Sequence, residues 1–280
     1  MTFGAGDPDA TNRAEGPTVV SEEVGEGITI VRLNRPERLN AMMDRVFVDA
    51  IAILDAIAAD DSCRVVIITG AGRAFSAGGD LGALDVIDGQ RSSVPRMRRT
   101  FELSGRMVLR VQSLPQPVIA AVNGPATGGG LSLALAADTR ICAESARFNA
   151  AFVKLGLSGC EMGTSYLLPR IVGPTAAFEL MMSGRLFDSA EALRLGLVLE
   201  VVPDAELMDR ALALARSFTA NSPIGLALTK EITWRSIGAG SLAEALAAET
   251  HAQMLCGHTA DHREAVAGFL EKRRPSFGNK

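Results

Sequence analysis

Histidine is scarce in this chain. There are three, His251, His258 and His262, all in the C-terminal region. No G-x-S-x-G sequence accompanies them, so a Ser/His/Asp hydrolase is a poor reading. The four cysteines, Cys63, Cys142, Cys160 and Cys256, are scattered and form no C-x-x-C pair, which argues against a zinc or dithiol redox motif. No excess of one charge is present: net charge is −4 with acids and bases interspersed, and nothing in it suggests a nucleic-acid surface. No apolar run reaches the roughly 18 residues of a membrane helix, and no charged–apolar–small leader is visible. The expectation is therefore a cytoplasmic protein with no membrane, nucleic-acid or metal partner. A Walker A sequence is missing too. Gly70-Ala-Gly72 follows a strand-like run, but the third glycine of G-x-G-x-x-G is replaced by Phe75. A nicotinamide-dependent oxidoreductase rests on that fragment alone.

What is present is a 280-residue chain, 48% hydrophobic, enough for one large domain and an appendage. Residues 1–17 are small, polar and turn-rich, the pattern of a disordered tail. Ile28, Ile30 and Leu33 predict a strand. Residues 41–59 carry apolar side chains at helical spacing. Arg64-Val-Val-Ile-Ile-Thr69 is a β-branched run ended by Gly70, a buried parallel strand. The alternation recurs: strand 117–122, glycine turn 124–130, helix 131–137, strand 139–143. Asp188 with Glu191 predicts a capped helix ended by Gly196, followed by a strand at 198–202. This is an α/β pattern with much parallel sheet. From Asp204 on, Ser222 before Pro223 and Ser241 before Glu244 mark helix starts, so the tail is helical. Residues 82–100, with Arg91, Arg96, Arg98 and Arg99, predict a polar connection.

Two glycine-rich turns each follow a buried strand: Phe75-Ser-Ala-Gly-Gly-Asp-Leu81 and Gly124-Pro-Ala-Thr-Gly-Gly-Gly130. Glycine allows close approach of backbone to a ligand, and the first N–H groups of a helix have no partner within it. Two such groups converging on one oxygen form an oxyanion hole, each donor worth roughly 2.7–4 kcal/mol of barrier.

Leu33-Asn-Arg-Pro-Glu-Arg-Leu-Asn-Ala-Met42, VVIITGAGRAFSAGGDL (65–81), PVIAAVNGPATGGGLSLALAADTRI (117–141), LPRIVG (168–173), SGRLFDSAEALRLGLVLEVVP (183–203) and GFLEKRRPSF (268–277) together resemble the crotonase, or enoyl-CoA hydratase/isomerase, superfamily. The resemblance spans nearly the whole chain from Val19. It implies a spiral of ββα repeats over residues 18–203 that binds acyl-CoA, and a helical oligomerisation region, 204–280, forming a trimer or a dimer of trimers. It implies no permanently bound cofactor, with coenzyme A arriving as part of the substrate. The thioester oxygen would be held by the N–H groups of Gly79 and Gly129, the latter aided by its helix dipole. The coenzyme contacts map onto Arg38, Leu39, Ala41, Ala77 and Asp80, with Phe269 and Lys272 reaching a neighbouring subunit's coenzyme.

The chain departs from that family in its acids. Hydratases of the family use two glutamates, and the matching positions here are Ser132 and Phe152. Glu161, the only acid between Glu144 and Glu179, stands in an apolar, glycine-rich stretch where burial would raise its pKa into the range of a general base. An aspartate near this point transfers protons in the dienoyl-CoA isomerase branch. Glu161, with Ser132 as a second candidate, is thus the expected catalytic group for double-bond isomerisation or hydration. An acyl-CoA-binding homologue that has lost catalysis is the alternative.

Overall fold

A computed structural model of the chain describes residues 16–84 and 94–278. Its main sheet starts with a hairpin, β1 (Val19–Glu23) antiparallel to β2 (Ile28–Leu33), and continues through parallel neighbours. These are β3 (Val65–Gly70), β4 (Val118–Val122), β6 (Thr139–Ala143) and β9 (Val201–Val202), joined in the order β1-β2-β3-β4-β6-β9. Between β4 and β6 in sequence lies a two-residue strand, β5 (Ala126–Thr127), which pairs with β7 (Arg147–Asn149) in a second, smaller sheet completed by β8 (Phe187–Asp188).

Helices cover both faces of the main sheet, so its central strands are apolar on both sides. Val66, Ile68, Val118, Ala120 and Val122 point into one core, built with α1 (Asp44–Ala58), α2 (Val94–Ser113) and α3 (Gly129–Ala136). The alternate residues Val65, Ile67, Ile119 and Ala121 face a second core. There, Leu207, Ala211 and Ala215 of α7 (Leu207–Thr219) pack on the strands. Between these helices in sequence come α4 (Thr164–Val172), α5 (Pro174–Ser183) and the short α6 (Ser189–Arg194). The chain ends in α8 (Pro223–Ile237), α9 (Leu242–Gly257) and α10 (Ala260–Glu271).

The repeat is a strand in the main sheet, a short pairing outside it, then a helix. β2 leads to a parallel bridge at Met42 and then α1; β3 leads to bridges at Ser76 and Gly79 and then α2. β4 and β5 lead to α3, and β6 and β7 lead to α4. Each turn of this spiral lays its short pairing on the next, Met42 on Gly79, Ser76 on Ala126, Ala126 on Phe148. The loops leaving the carboxyl ends of β3 and β4 are thereby pressed side by side, the usual place for a ligand in an open α/β sheet.

The caps predicted from the sequence are present: Asp188, Ser222 and Ser241 accept from the N–H groups of Glu191, Gly225 and Glu244. Two expectations change. Residues 94–100 are not loop but the first turns of α2, which carry Arg96, Arg98 and Arg99; Arg91 and residues 1–15 lie outside the described residues. The last strand is confined to Val201–Val202. Gly70-Ala-Gly72 leads to the Ser76 bridge rather than into a helix, and Asn123 fills the turn by bonding the carbonyls of Gly70 and Gly72. The helix N-terminus that a dinucleotide phosphate needs is not offered there.

Candidate active site

The first glycine turn is held almost entirely by its own backbone. Ser76 N–H donates to Pro125 C=O at 3.0 Å and Ala77 N–H to Leu39 C=O at 2.9 Å. Gly78 N–H donates to the Ser76 hydroxyl at 3.2 Å, and Asp80 N–H to Met42 C=O at 2.8 Å. Gly78 C=O accepts from Met42 N–H at 2.7 Å. In a parallel bridge the two flanking residues supply the bonds, so Gly79 turns its own N–H away from Met42. That N–H makes no hydrogen bond among the described residues, and a Cβ on Gly79 would meet nothing within 4 Å.

The second turn reaches the same result by another route. Gly128 N–H is taken by Asn149 C=O at 2.9 Å, and its φ of 52° with ψ of −118° is open only to glycine. Gly129 then begins α3, where the first N–H groups have no intrahelical acceptor. The two turns touch: a Cβ on Gly78 would lie 2.6 Å from Thr127 C=O and 3.3 Å from Gly129 N. Thr127 Oγ1 also donates to Ala77 C=O at 2.8 Å.

Apolar groups close over the second turn. A Cβ on Gly129 would stand 2.8 Å from Met42 Cε and 2.9 Å from Met162 Sδ, and one on Gly128 would meet the Phe152 ring at 3.5 Å. Phe152 is thus a wall of the site. Ser132, one turn into α3, is fully buried. Its Oγ lies 2.6 Å from Thr164 Oγ1, 3.2 Å from Gly128 C=O and 3.4 Å from Glu161 C=O.

Glu161 precedes α4, and its carbonyl accepts from Thr164 N–H at 2.9 Å. The next residue, Met162, holds a left-handed φ of 49° and places its sulfur against Gly129, so the Glu161 loop lies beside the second glycine turn. The half-buried carboxylate points toward α2, where Ser104 Oγ is 3.4 Å from Oε1. Burial pushes the Glu161 carboxyl above its ordinary value, and the Ser104 bond opposes this only in part.

Arg38, Leu39 and Ala41 run alongside Ala77 and Asp80 because of the Met42–Gly79 bridge. Arg38 is exposed; Leu39 and Asn40 are both left-handed, with φ of 51° and 55°. Asp80 is held by Arg35 at 2.9 Å, and the same guanidinium nitrogen donates to Ala41 C=O at 2.7 Å. Phe269 is carried by α10, which packs on α9, and Lys272 caps its C-terminus; Phe269 is 84% exposed. The contributions of Arg35, Ser104, Met162 and Thr164 were not evident from the sequence. Only contacts between residues 30 or more positions apart reveal most of them.

The family model described as enoyl-CoA hydratase/isomerase matches residues 23–280. The chain belongs to that family. It is 44% identical over 262 residues to a probable enoyl-CoA hydratase, EchA12, of Mycobacterium tuberculosis, covering 92% of each chain. It is 38% identical over 262 residues to a 1,2-epoxyphenylacetyl-CoA isomerase of Escherichia coli, covering 93% of this chain and 98% of that one. Among solved structures, an enoyl-CoA hydratase from Bacillus anthracis superimposes with a TM-score of 0.89 at 34% identity, over 94% of this chain and all of that one. The fold is that of the crotonase superfamily, and the protein is a hydratase/isomerase-type enzyme. Among the described residues no helix is long and apolar enough to cross a membrane, and no cluster of His, Cys, Asp and Glu is suited to a metal ion.

Proposed function

We propose that the enzyme isomerises the double bond of an enoyl-CoA thioester through an enolate, with Glu161 as the single proton carrier. The observation that carries this reading is the environment of the two positions where the family's hydratases place glutamates. Ser132 is sealed among backbone carbonyls and Thr164, and Phe152 packs on Gly128. Neither can activate water, whereas Glu161 is half-buried beside the same turn.

The N–H groups of Gly79 and Gly129 hold the thioester oxygen. Both are donors without protein partners among the described residues, in a site where stabilisation of developing charge is the largest single catalytic effect. The Glu161 carboxylate takes a proton from C2 of a 3-enoyl thioester, and the electron pair moves through the conjugated system to the thioester oxygen. Return of the proton at C4 gives the 2-enoyl thioester and restores the carboxylate. Arg38, Leu39, Ala41, Ala77 and Asp80 line the path of the coenzyme. Residues 18–203 form the acyl-CoA-binding spiral and 204–280 the oligomerisation region. The exposure of Leu242, Met254, Phe269 and Leu270 in the single chain supports this, and Phe269 and Lys272 would reach a neighbour's coenzyme.

The test uses Glu161→Gln with 2-enoyl-, 3-enoyl- and dienoyl-CoA substrates. Isomerisation of the 3-enoyl substrate is expected to fall about 10²–10⁴-fold. Normal turnover by the variant would reject Glu161 as the base. Hydration of 2-enoyl-CoA as fast as isomerisation would reject the single-carboxylate reading. Tight acyl-CoA binding without α-proton exchange in deuterated water would instead mark a binding protein.

A further inference from the structure

We infer that Ser132 and Thr164 form a positioning clamp that fixes the Gly129 amide and the Glu161 loop relative to each other; this rests on the oxyanion role proposed for Gly129. Proton counting sets the direction of the clamp. The two hydroxyls are 2.6 Å apart and both side chains are fully buried, so each must place its one proton on an acceptor. Ser132 Oγ has two carbonyls within reach, Gly128 at 3.2 Å and Glu161 at 3.4 Å. Thr164 Oγ1 has, among the described residues, only Ser132. Thr164 therefore donates to Ser132, and Ser132 donates to the carbonyls. No hydroxyl proton is left over for substrate, so Ser132 is a positioning residue rather than a catalytic one.

The carbonyls it reaches give the clamp its function. Gly128 C=O belongs to the same planar peptide unit as Gly129 N–H. A hydrogen bond accepted by that oxygen fixes the plane of the unit. It also polarises the unit, which strengthens Gly129 N–H as a donor. The same oxygen accepts from Ser132 N–H at 3.1 Å, so the helix and the clamp act on it together. Glu161 C=O belongs to the peptide that joins Glu161 to Met162, whose sulfur lies against Gly129. One hydroxyl thus holds the oxyanion donor from behind and the loop of the proton carrier from the side. Thr164 anchors that hydroxyl to the first residue of α4.

The experiment compares the binding of acetoacetyl-CoA, which forms an enolate readily, with that of butyryl-CoA, which does not. It is done in a Glu161→Gln background so that the base plays no part. Thr164→Val, which keeps shape and removes the hydroxyl, is expected to lower the preference for acetoacetyl-CoA about tenfold while butyryl-CoA binding holds, since small misplacement of a donor has a large effect. Thr164→Ser is expected to restore the preference. Ser132→Ala is expected to lower it equally and serves if the valine variant does not fold. An unchanged preference in a folded Thr164→Val or Ser132→Ala variant would overturn the clamp, as would an equal weakening of both ligands. Failure of the base assignment reads out separately. If Glu161→Gln alone turns over 3-enoyl-CoA normally while Thr164→Val still lowers the preference, the base is elsewhere and the clamp stands.

Discussion

The two glycine turns leave an amide unpaired for different reasons. In the first, backbone pairing and the Ser76 hydroxyl use the neighbouring amides, and the parity of the Met42–Gly79 bridge turns one N–H outward. In the second, the vacancy comes from the start of a helix. The first turn is exposed at Gly79 and has open space above it, whereas the second is buried beneath two methionines and a phenylalanine. A ligand therefore finds one donor at an open edge and the other at the bottom of an apolar recess. On the reading proposed above, a thioester oxygen spanning both would enter past Gly79 and come to rest at Gly129.

Gly78→Ala should have the largest effect on this contrast. Its φ of 86° is strained for any Cβ, and the added carbon would sit 2.6 Å from Thr127 C=O, a backbone atom that cannot move aside. A loss of roughly 3 kcal/mol of stability with near-complete loss of turnover is expected, read by denaturant unfolding and by kcat. Gly79→Ala should separate stability from function, because its methyl enters empty space. The melting temperature is expected to hold while kcat/KM falls about 10- to 100-fold, since the methyl occupies ligand space beside a retained N–H.

The acid beside the second turn offers a smaller, pH-dependent effect. As the proposed base Glu161 would act only when ionised, and burial raises its carboxyl above the ordinary 4.5. The acid limb of the kcat/KM profile is therefore displaced above that value, and the rate falls as pH drops through it. For stability the sign is opposite. The folded state holds the proton more tightly than the unfolded chain, so wild-type stability declines as pH rises from 4.5 through the raised value. Glu161→Gln is expected to melt higher than wild type at neutral pH, with the gain vanishing below 4.5. Last, Thr127→Val removes a side-chain bond from the second turn to the first, Thr127 Oγ1 to Ala77 C=O. A loss of about 1 kcal/mol in unfolding free energy is expected.

The strands β3 and β4 were legible because residues buried on both faces leave a continuous apolar run, and the caps at Asp188, Ser222 and Ser241 because their signal is local. The start of α2 was not. Its first turns carry three arginines and an exposed Val94, a composition that reads as loop until α1 and α3 are packed against the later turns. The two-residue strands of the small sheet were too short for any periodicity. In the site, the two glycine-rich turns stood out after their strands, and the family resemblance picked out Gly79 and Gly129 within them. The partners of Ser132 and Glu161 did not, since Thr164 is 32 residues from Ser132 and Ser104 is 57 from Glu161.

The Met42–Gly79 bridge has a consequence for how this segment can change. Backbone donors and acceptors alternate along an extended strand, so slipping the chain by one position would present a carbonyl where Gly79 now presents its amide. A single inserted or deleted residue between Ser76 and Asp80 would then repel an anion instead of attracting it, with every side chain of the loop intact. This stretch can tolerate new residue types far more readily than a new length.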